Sequence, residues 1–166
     1  MTSLSWLPAL VPFEQYGGDW TKYLDALYAC FKVDFIDSRP FYNGKRVGLK
    51  RYPLSQGKEA TFWHFISEGS SEKDRIPDMR RCERIRWPRP IIEHSGERVL
   101  KVWKNRRNGE TRICLWLEAE EYLVILAERK DHVMPWTAYM VDKDHRKQKL
   151  QKEYDEYWRG KRPKNG

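Results

Sequence analysis

Cysteine is scarce in this chain and badly spaced for chemistry. There are three, Cys30, Cys82 and Cys114. An odd number, far apart and without a CxxC pair, suggests neither a disulfide framework nor a zinc knuckle. The four histidines, His64, His94, His132 and His145, lack HxxxH or HxH spacing, so no metal is expected. Long apolar runs are missing too, and nothing approaches the length of a membrane span. The opening "MTSLSWLPALVPF" has no basic stretch and is broken by Pro8 and Pro12, unlike a secretory signal peptide. Glycine-rich phosphate loops, a dinucleotide fingerprint, a nucleophile elbow and a zincin motif are all absent. "GKEATF" has Gly-Lys without the rest of a P-loop, and "HFISEG" has His and Ser without a triad context. These absences lead us to expect a cytoplasmic protein with no metal, no cofactor and no membrane association.

Aromatic residues and positive charge are what the chain does have. Of 166 residues 40% are hydrophobic and 14% aromatic, including eight Trp and nine Tyr. That is too much bulky apolar surface for a disordered chain, and the length suits one domain with one sizeable core. There are 32 Lys and Arg against 24 Asp and Glu, a net charge of +8. Such a balance points to a polyanionic partner, nucleic acid first and an anionic membrane surface second; the simpler reading is solubility.

Periodicity sorts the chain into elements. Asp19 precedes a helical pattern in which Trp20, Tyr23, Leu24, Leu27, Tyr28 and Phe31 share a face. Extended runs are expected near 46–52 and 60–67, after an Asn43-Gly44 turn signal. A short helix is expected over 74–87, with Pro77 in its first turn and Pro88 and Pro90 stopping it. Its apolar residues are Ile76, Met79, Cys82 and Ile85; Arg75, Arg80, Arg81, Arg84 and Arg86 lie mostly elsewhere. Four strands follow, at 98–105, 111–118, 122–129 and 135–141. Their short joins, Asn108-Gly109 among them, favour an antiparallel meander. Asp142 is placed to cap a last helix whose thin apolar face is Leu150, Tyr154, Tyr157 and Trp158. The expected fold is α+β: N-terminal helices, then a roughly four-stranded antiparallel sheet, then a C-terminal helix. Residues 1–55 are read as a segment packed on a core of 56–159, with 160–166 a basic, mobile tail of a single domain.

Strand alternation suggests which polar residues share a surface. Arg112, Cys114 and Trp116 oppose Ile113, Leu115 and Leu117. Thr137, Tyr139 and Val141 oppose Trp136, Ala138 and Met140. Lys101 and Trp103 oppose Leu100, Val102 and Lys104, and His64 goes with Phe62 and Ile66. One face could thus present an imidazole, a guanidinium, an ammonium and two hydroxyls. Metal-free RNA cleavage uses such parts: a base for the ribose 2′-OH, an acid for the leaving 5′-oxygen, and cations for the phosphate. His64 suits acid–base work, Arg112 a two-oxygen phosphate clamp, and Thr137 or Tyr139 a hydrogen bond to phosphate or attacking hydroxyl. Arg80, Arg81, Arg84, Lys104 and Arg106 are candidates for nucleic-acid contacts.

Each has a simpler reading. A His within "FWHF" is more often core, Arg112 can be a solvated strand end, and Thr and Tyr are ordinary strand residues. The arginines of 75–86 fit a solvated helix face, although the lack of Lys there favours phosphate. Lys143 to Lys152 reads as a soluble face rather than a groove. Trp87, Trp103 and Trp116 could stack on bases, but most aromatics are core.

"TFWHFISEG", "DRIPDMRRCERIRWPRPIIE", "GETRICLWLEAEEYLVILAER" and "WTAYMVDKDHRKQKL" together resemble phage- and mobile-element-borne nucleases of the BECR fold. That superfamily groups barnase, EndoU, colicin-type tRNases and RelE-like toxins. The resemblance covers about residues 60–155 and leaves 1–55 unplaced. It implies a helical N-terminal part, a four-stranded antiparallel sheet and metal-independent cleavage of tRNA or mRNA on one sheet face. It also implies an antitoxin or immunity protein as partner. The implied site is His64, Arg112, Thr137 and Tyr139, with Lys101 or Lys104 as a further cation; alternation lets only one of the two face it, and Lys101 is preferred.

Overall fold

The computed structural model describes residues 4–161, so most of the basic tail lies outside the described residues. A 3-10 turn at Phe13–Tyr16 precedes α1, Trp20–Phe35, where Asp19 accepts a hydrogen bond from the Lys22 amide at 3.1 Å. Tyr23, Leu24, Leu27, Phe31 and Phe35 are its buried stripe, the 3.6-residue spacing that an inward helix face requires. Two short strands follow, β1 at Phe41–Tyr42 and β2 at Lys45–Val47. They turn at Asn43-Gly44, both with positive φ, which glycine and asparagine tolerate best. Of the extended run expected over 46–52, only this small β2 forms.

Residues 60–66 are α2, Ala60–Ile66, and not the expected strand. Phe62, Phe65 and Ile66 carry a helical i, i+3, i+4 spacing. Every residue of the run except Trp63 is buried, and alternation cannot identify a segment buried on nearly every side. A separate two-stranded ladder comes next, β3 at Ser67–Glu68 with β4 at Ile76–Pro77. Pro77 therefore precedes the next helix instead of opening it. That helix, α3, is Met79–Glu83, capped by Asp78, whose carboxylate accepts from the amides of Arg80 and Arg81 at 2.9 and 3.2 Å. Pro88 opens a further helix, α4 at Pro88–Glu93, at the position where a missing N–H costs nothing.

The meander forms as expected: β5 at Lys101–Arg107, β6 at Glu110–Leu117, β7 at Tyr122–Glu128 and β8 at His132–Met140, each antiparallel to the next. The fold is α+β. The sheet has six strands, however, in the order β1-β2-β8-β7-β6-β5, and it is mixed because β2 runs parallel to β8. The extra strands come from the 1–55 segment, whose α1 also shares its core with the sheet. The C-terminal helix is α5, Asp144–Arg159. Its cap position is Lys143 without a side-chain bond, while Asp142 pairs with Arg80 at 2.8 Å.

Two apolar layers clamp the sheet. On one face Ile113, Leu115, Leu117, Val124, Leu126 and Ala138 join buried residues of α1 to α4 in the main core. On the other face Trp103, Cys114, Trp116, Leu123 and Val141 pack with Leu150, Tyr154 and Tyr157 of α5. This helix covers only part of that face, and the rest of it is a cleft. α3 stands at the cleft's border, which makes its cap consequential. Asp78→Ala should cost about 1 kcal/mol in urea unfolding, as loss of such a cap typically does.

Candidate active groove

The groove runs along β8 and is floored by a β-bulge. Ile125 pairs with Thr137 but Leu126 pairs with Pro135, which leaves Trp136 as the extra residue. A bulge interrupts the two-residue alternation. Trp136 consequently lines the same cleft as Thr137 and Tyr139 rather than the opposite face. That hollow, about 320 Å³, is closed by Arg112 and Cys114 of β6 and by Arg146 and Lys149 of α5. A second hollow of about 300 Å³ shares Trp136, Thr137 and Tyr139 and adds His64, Glu72, Arg75 and Arg81.

Trp136 is the hub. The Arg112 guanidinium carbon lies 4.6 Å from its ring centroid, the Lys50 ammonium 5.3 Å, and the His64 ring meets it edge-on at 5.6 Å. Arg112 is mostly buried, reaches Glu110 only at 3.6 Å, and has a buried Nε without a hydrogen-bond partner. An unpartnered buried donor costs about 1–3 kcal/mol. Arg81 is the other inner cation. Its Nη1 donates to the carbonyls of Ser67 at 2.6 Å and His64 at 3.2 Å, and to Thr137 Oγ1 at 3.4 Å. Its guanidinium carbon sits 5.3 Å from the Tyr139 ring centroid.

His64 stands in the last turn of α2 and is 5% exposed. Nδ1 is 3.1 Å from the Trp136 carbonyl and Nε2 is 2.7 Å from Glu72 Oε1. Both partners are acceptors, so the ring satisfies both only when it carries two protons. Burial opposes that charge and holds the His64 pKa below its ordinary value, although the Glu72 bond pulls it back in part. Burial also pushes Glu72 up, but its bond to His64 and the charges of His64, Arg75 and Lys50 outweigh this and leave the carboxyl below its ordinary range. Cys114 is no nucleophile at neutral pH: burial pushes its thiol up to about 12.

The groove thus gathers His64, Arg112, Thr137 and Tyr139, with His64 arriving on a helix rather than on a strand. Neither lysine joins them. Lys101 shares the α5 side of the sheet but is held by Glu118 and Gln151, with its ammonium over Trp116 and Tyr154. Lys104 points to the other side, where it pairs with Glu128 at 3.1 Å. Arg81 takes the place expected for a lysine.

Among the proposed nucleic-acid contacts, Arg80 and Arg81 border a third hollow that also meets Tyr139 and Arg146. Arg84 is drawn away over Trp87, and Arg106 is spent on Thr111 and Gly109 in its hairpin. Trp87, Trp103 and Trp116 are buried, so none of them offers a base an open face.

Sequence reasoning missed Trp136, Glu72, Arg146 and Lys149. Pro135 was a readable sign of the bulge, since proline inside a sheet is confined to edges, strand starts and bulges. Arg146 and Lys149 share helical spacing with Leu150 and Glu153, and all four line the cleft. Glu72 carried no signal.

Among the described residues no group of three or more His, Cys, Asp or Glu side chains could hold a metal ion, and no helix is long and apolar enough to cross a membrane. No protein-family model matches the chain, and no match is found among curated proteins or solved structures.

Proposed function

We propose that this groove cleaves RNA without a metal ion, as a toxin-like endoribonuclease of BECR type acting on tRNA or mRNA. The observation that carries the proposal is the gathering of Arg112, Thr137, Tyr139 and the His64–Glu72 pair around one indole. Arg112 and Arg81 supply guanidinium donors for phosphate oxygens, and Arg146 and Lys149 add charge from α5. Trp136 offers a base a π-face. Once Glu72 yields its place, neutral His64 takes the proton of a ribose 2′-OH. The 2′-oxygen bonds to phosphorus, the bond to the 5′-oxygen breaks, and the proton returns to that 5′-oxygen directly or through water. An acidic antitoxin or immunity protein, complementary to the +8 charge of the chain, is the partner such an enzyme would need.

A second reading is a non-catalytic nucleic-acid-binding module. The occupation of both His64 nitrogens favours it.

The two separate in one experiment. Cleavage of an RNA oligonucleotide, followed against pH beside its 2′-deoxy counterpart, should show a rate that rises through a midpoint below about 6.5, the ordinary histidine value, with the deoxy strand uncut. Glu72→Gln should move the midpoint lower still, because the carboxylate bond and charge raise the His64 pKa. Stability follows the same sign. A histidine whose folded pKa is depressed contributes fully above about 6.5, and that contribution is lost as pH falls through the folded value. Uncut RNA at every pH, with binding intact, would select the binding module.

A further inference from the structure

A larger hollow of about 550 Å³ lies on the far side of the β3–β4 ladder, walled by Trp20, Pro53, Leu54, Trp63 and Arg75. It shares Glu72 and Arg75 with the hollow that contains His64. Trp63 immediately precedes His64 on α2, and its indole N–H donates to the Ser55 carbonyl at 3.0 Å, which fixes the ring. Arg75 is fixed as well, donating from Nε to Ser67 Oγ at 2.9 Å and from Nη2 to the Ser67 carbonyl at 2.6 Å. Leu54 is 50% exposed at its wall, an apolar surface left without a cover.

We infer that this hollow is a base-binding subsite, which takes the nucleobase next to the scissile phosphate; the inference rests on the RNA-cleaving reading of the groove. The volume lies within the range of about 300–1,000 Å³ typical of small-ligand sites. Its walls offer what a base needs: aromatic and aliphatic faces for stacking, and Ser55 and Gln56 for polar edges. Arg75 and Lys73 supply positive charge at the wall, where the adjoining phosphate would lie. A lipid or an apolar peptide would leave the Lys73 ammonium unanswered, whereas Arg75 already donates to Ser67 and faces Glu72. A base held here is unpaired and splayed from its neighbours, so the substrate is single-stranded RNA or a loop rather than a duplex.

The test uses the full chain labelled with ¹⁵N at tryptophan and titrated with a 2′-deoxy trinucleotide, which lacks the attacking hydroxyl. The indole N–H signals of Trp20 and Trp63 should shift along with that of Trp136. Leu54→Asp, a change on an exposed surface, should weaken the trinucleotide roughly 5- to 150-fold, the range that loss of one base-stacking contact produces. Shifts at Trp136 alone would overturn the subsite while leaving the groove. No shift at any of the three indoles, in a protein that still cuts RNA, would overturn it too. Shifts at Trp20 and Trp63 in a protein that cuts no RNA would keep the subsite and remove the nuclease.

Discussion

Arg112→Ala should lower the rate of RNA cleavage about 10²–10³-fold, the loss expected when one donor to developing charge is removed. Arg112 has little else to do. Its contact with Glu110 is long, at 3.6 Å, and its Nε has no partner. Removing a guanidinium so poorly satisfied deletes a desolvated charge along with its stacking on Trp136. The unfolding free energy from urea curves should therefore change by about 1 kcal/mol or less. Arg112→Lys should not restore the rate, because an ammonium has neither the planar stack on the indole nor the two-pronged grip on phosphate. Single-turnover cleavage, with unfolding curves on the same preparations, separates the two effects.

His64→Gln should cost about 10²–10⁴-fold, the usual contribution of a general acid–base group. Glutamine can still donate to the Trp136 carbonyl, so the substitution removes the proton shuttle while sparing the contact between α2 and β8. The remaining activity should lose its rise with pH. If the rate falls but the pH profile keeps its shape, His64 is a structural residue and another group moves the proton. Glu72, with 38% of its side chain exposed and bonded to the same imidazole, would be the first to examine.

Strands β5 to β8 could be read from the chain because each alternates or is bounded by a sharp turn signal. Asn108-Gly109 is such a signal, and both residues adopt positive φ. Arg112, Thr137 and Tyr139 were found for the same reason: period two puts them on one side of the sheet. Period two failed where its premise failed. The bulge at Trp136 turned a residue assigned to the opposite face into the hub of the groove. The run 60–66 looked extended because Phe62, His64 and Ile66 alternate within it, and burial on nearly all sides erases the distinction between a helix and a strand. Lys101 lay on the right face but under α5, and no local pattern reveals where a helix will stop covering a sheet. Glu72 reaches His64 only through the tertiary path of the β3–β4 ladder, so its role could not be read from spacing.

The charge balance sits differently once the structure is known. The arginines of α3 and its C-cap divide: Arg81 turns inward to the carbonyls of His64 and Ser67, Arg80 pairs with Asp142, and the C-cap Arg84 rests on Trp87. Uniform composition thus conceals three environments. The basic stretch of α5, which reads as a solubilising face, contributes Arg146 and Lys149 to the cleft. A positive patch on a folded domain does double duty in this way whenever one helix face packs and its flank borders a hollow.

The most direct assay is purified protein incubated with total cellular RNA in excess EDTA, beside the Arg112→Ala protein at equal concentration. The proposed groove predicts that the native chain fragments the RNA with the chelator present and that the variant leaves it essentially whole. RNA left intact by the native chain, at concentrations well above those that bind it, would contradict the account.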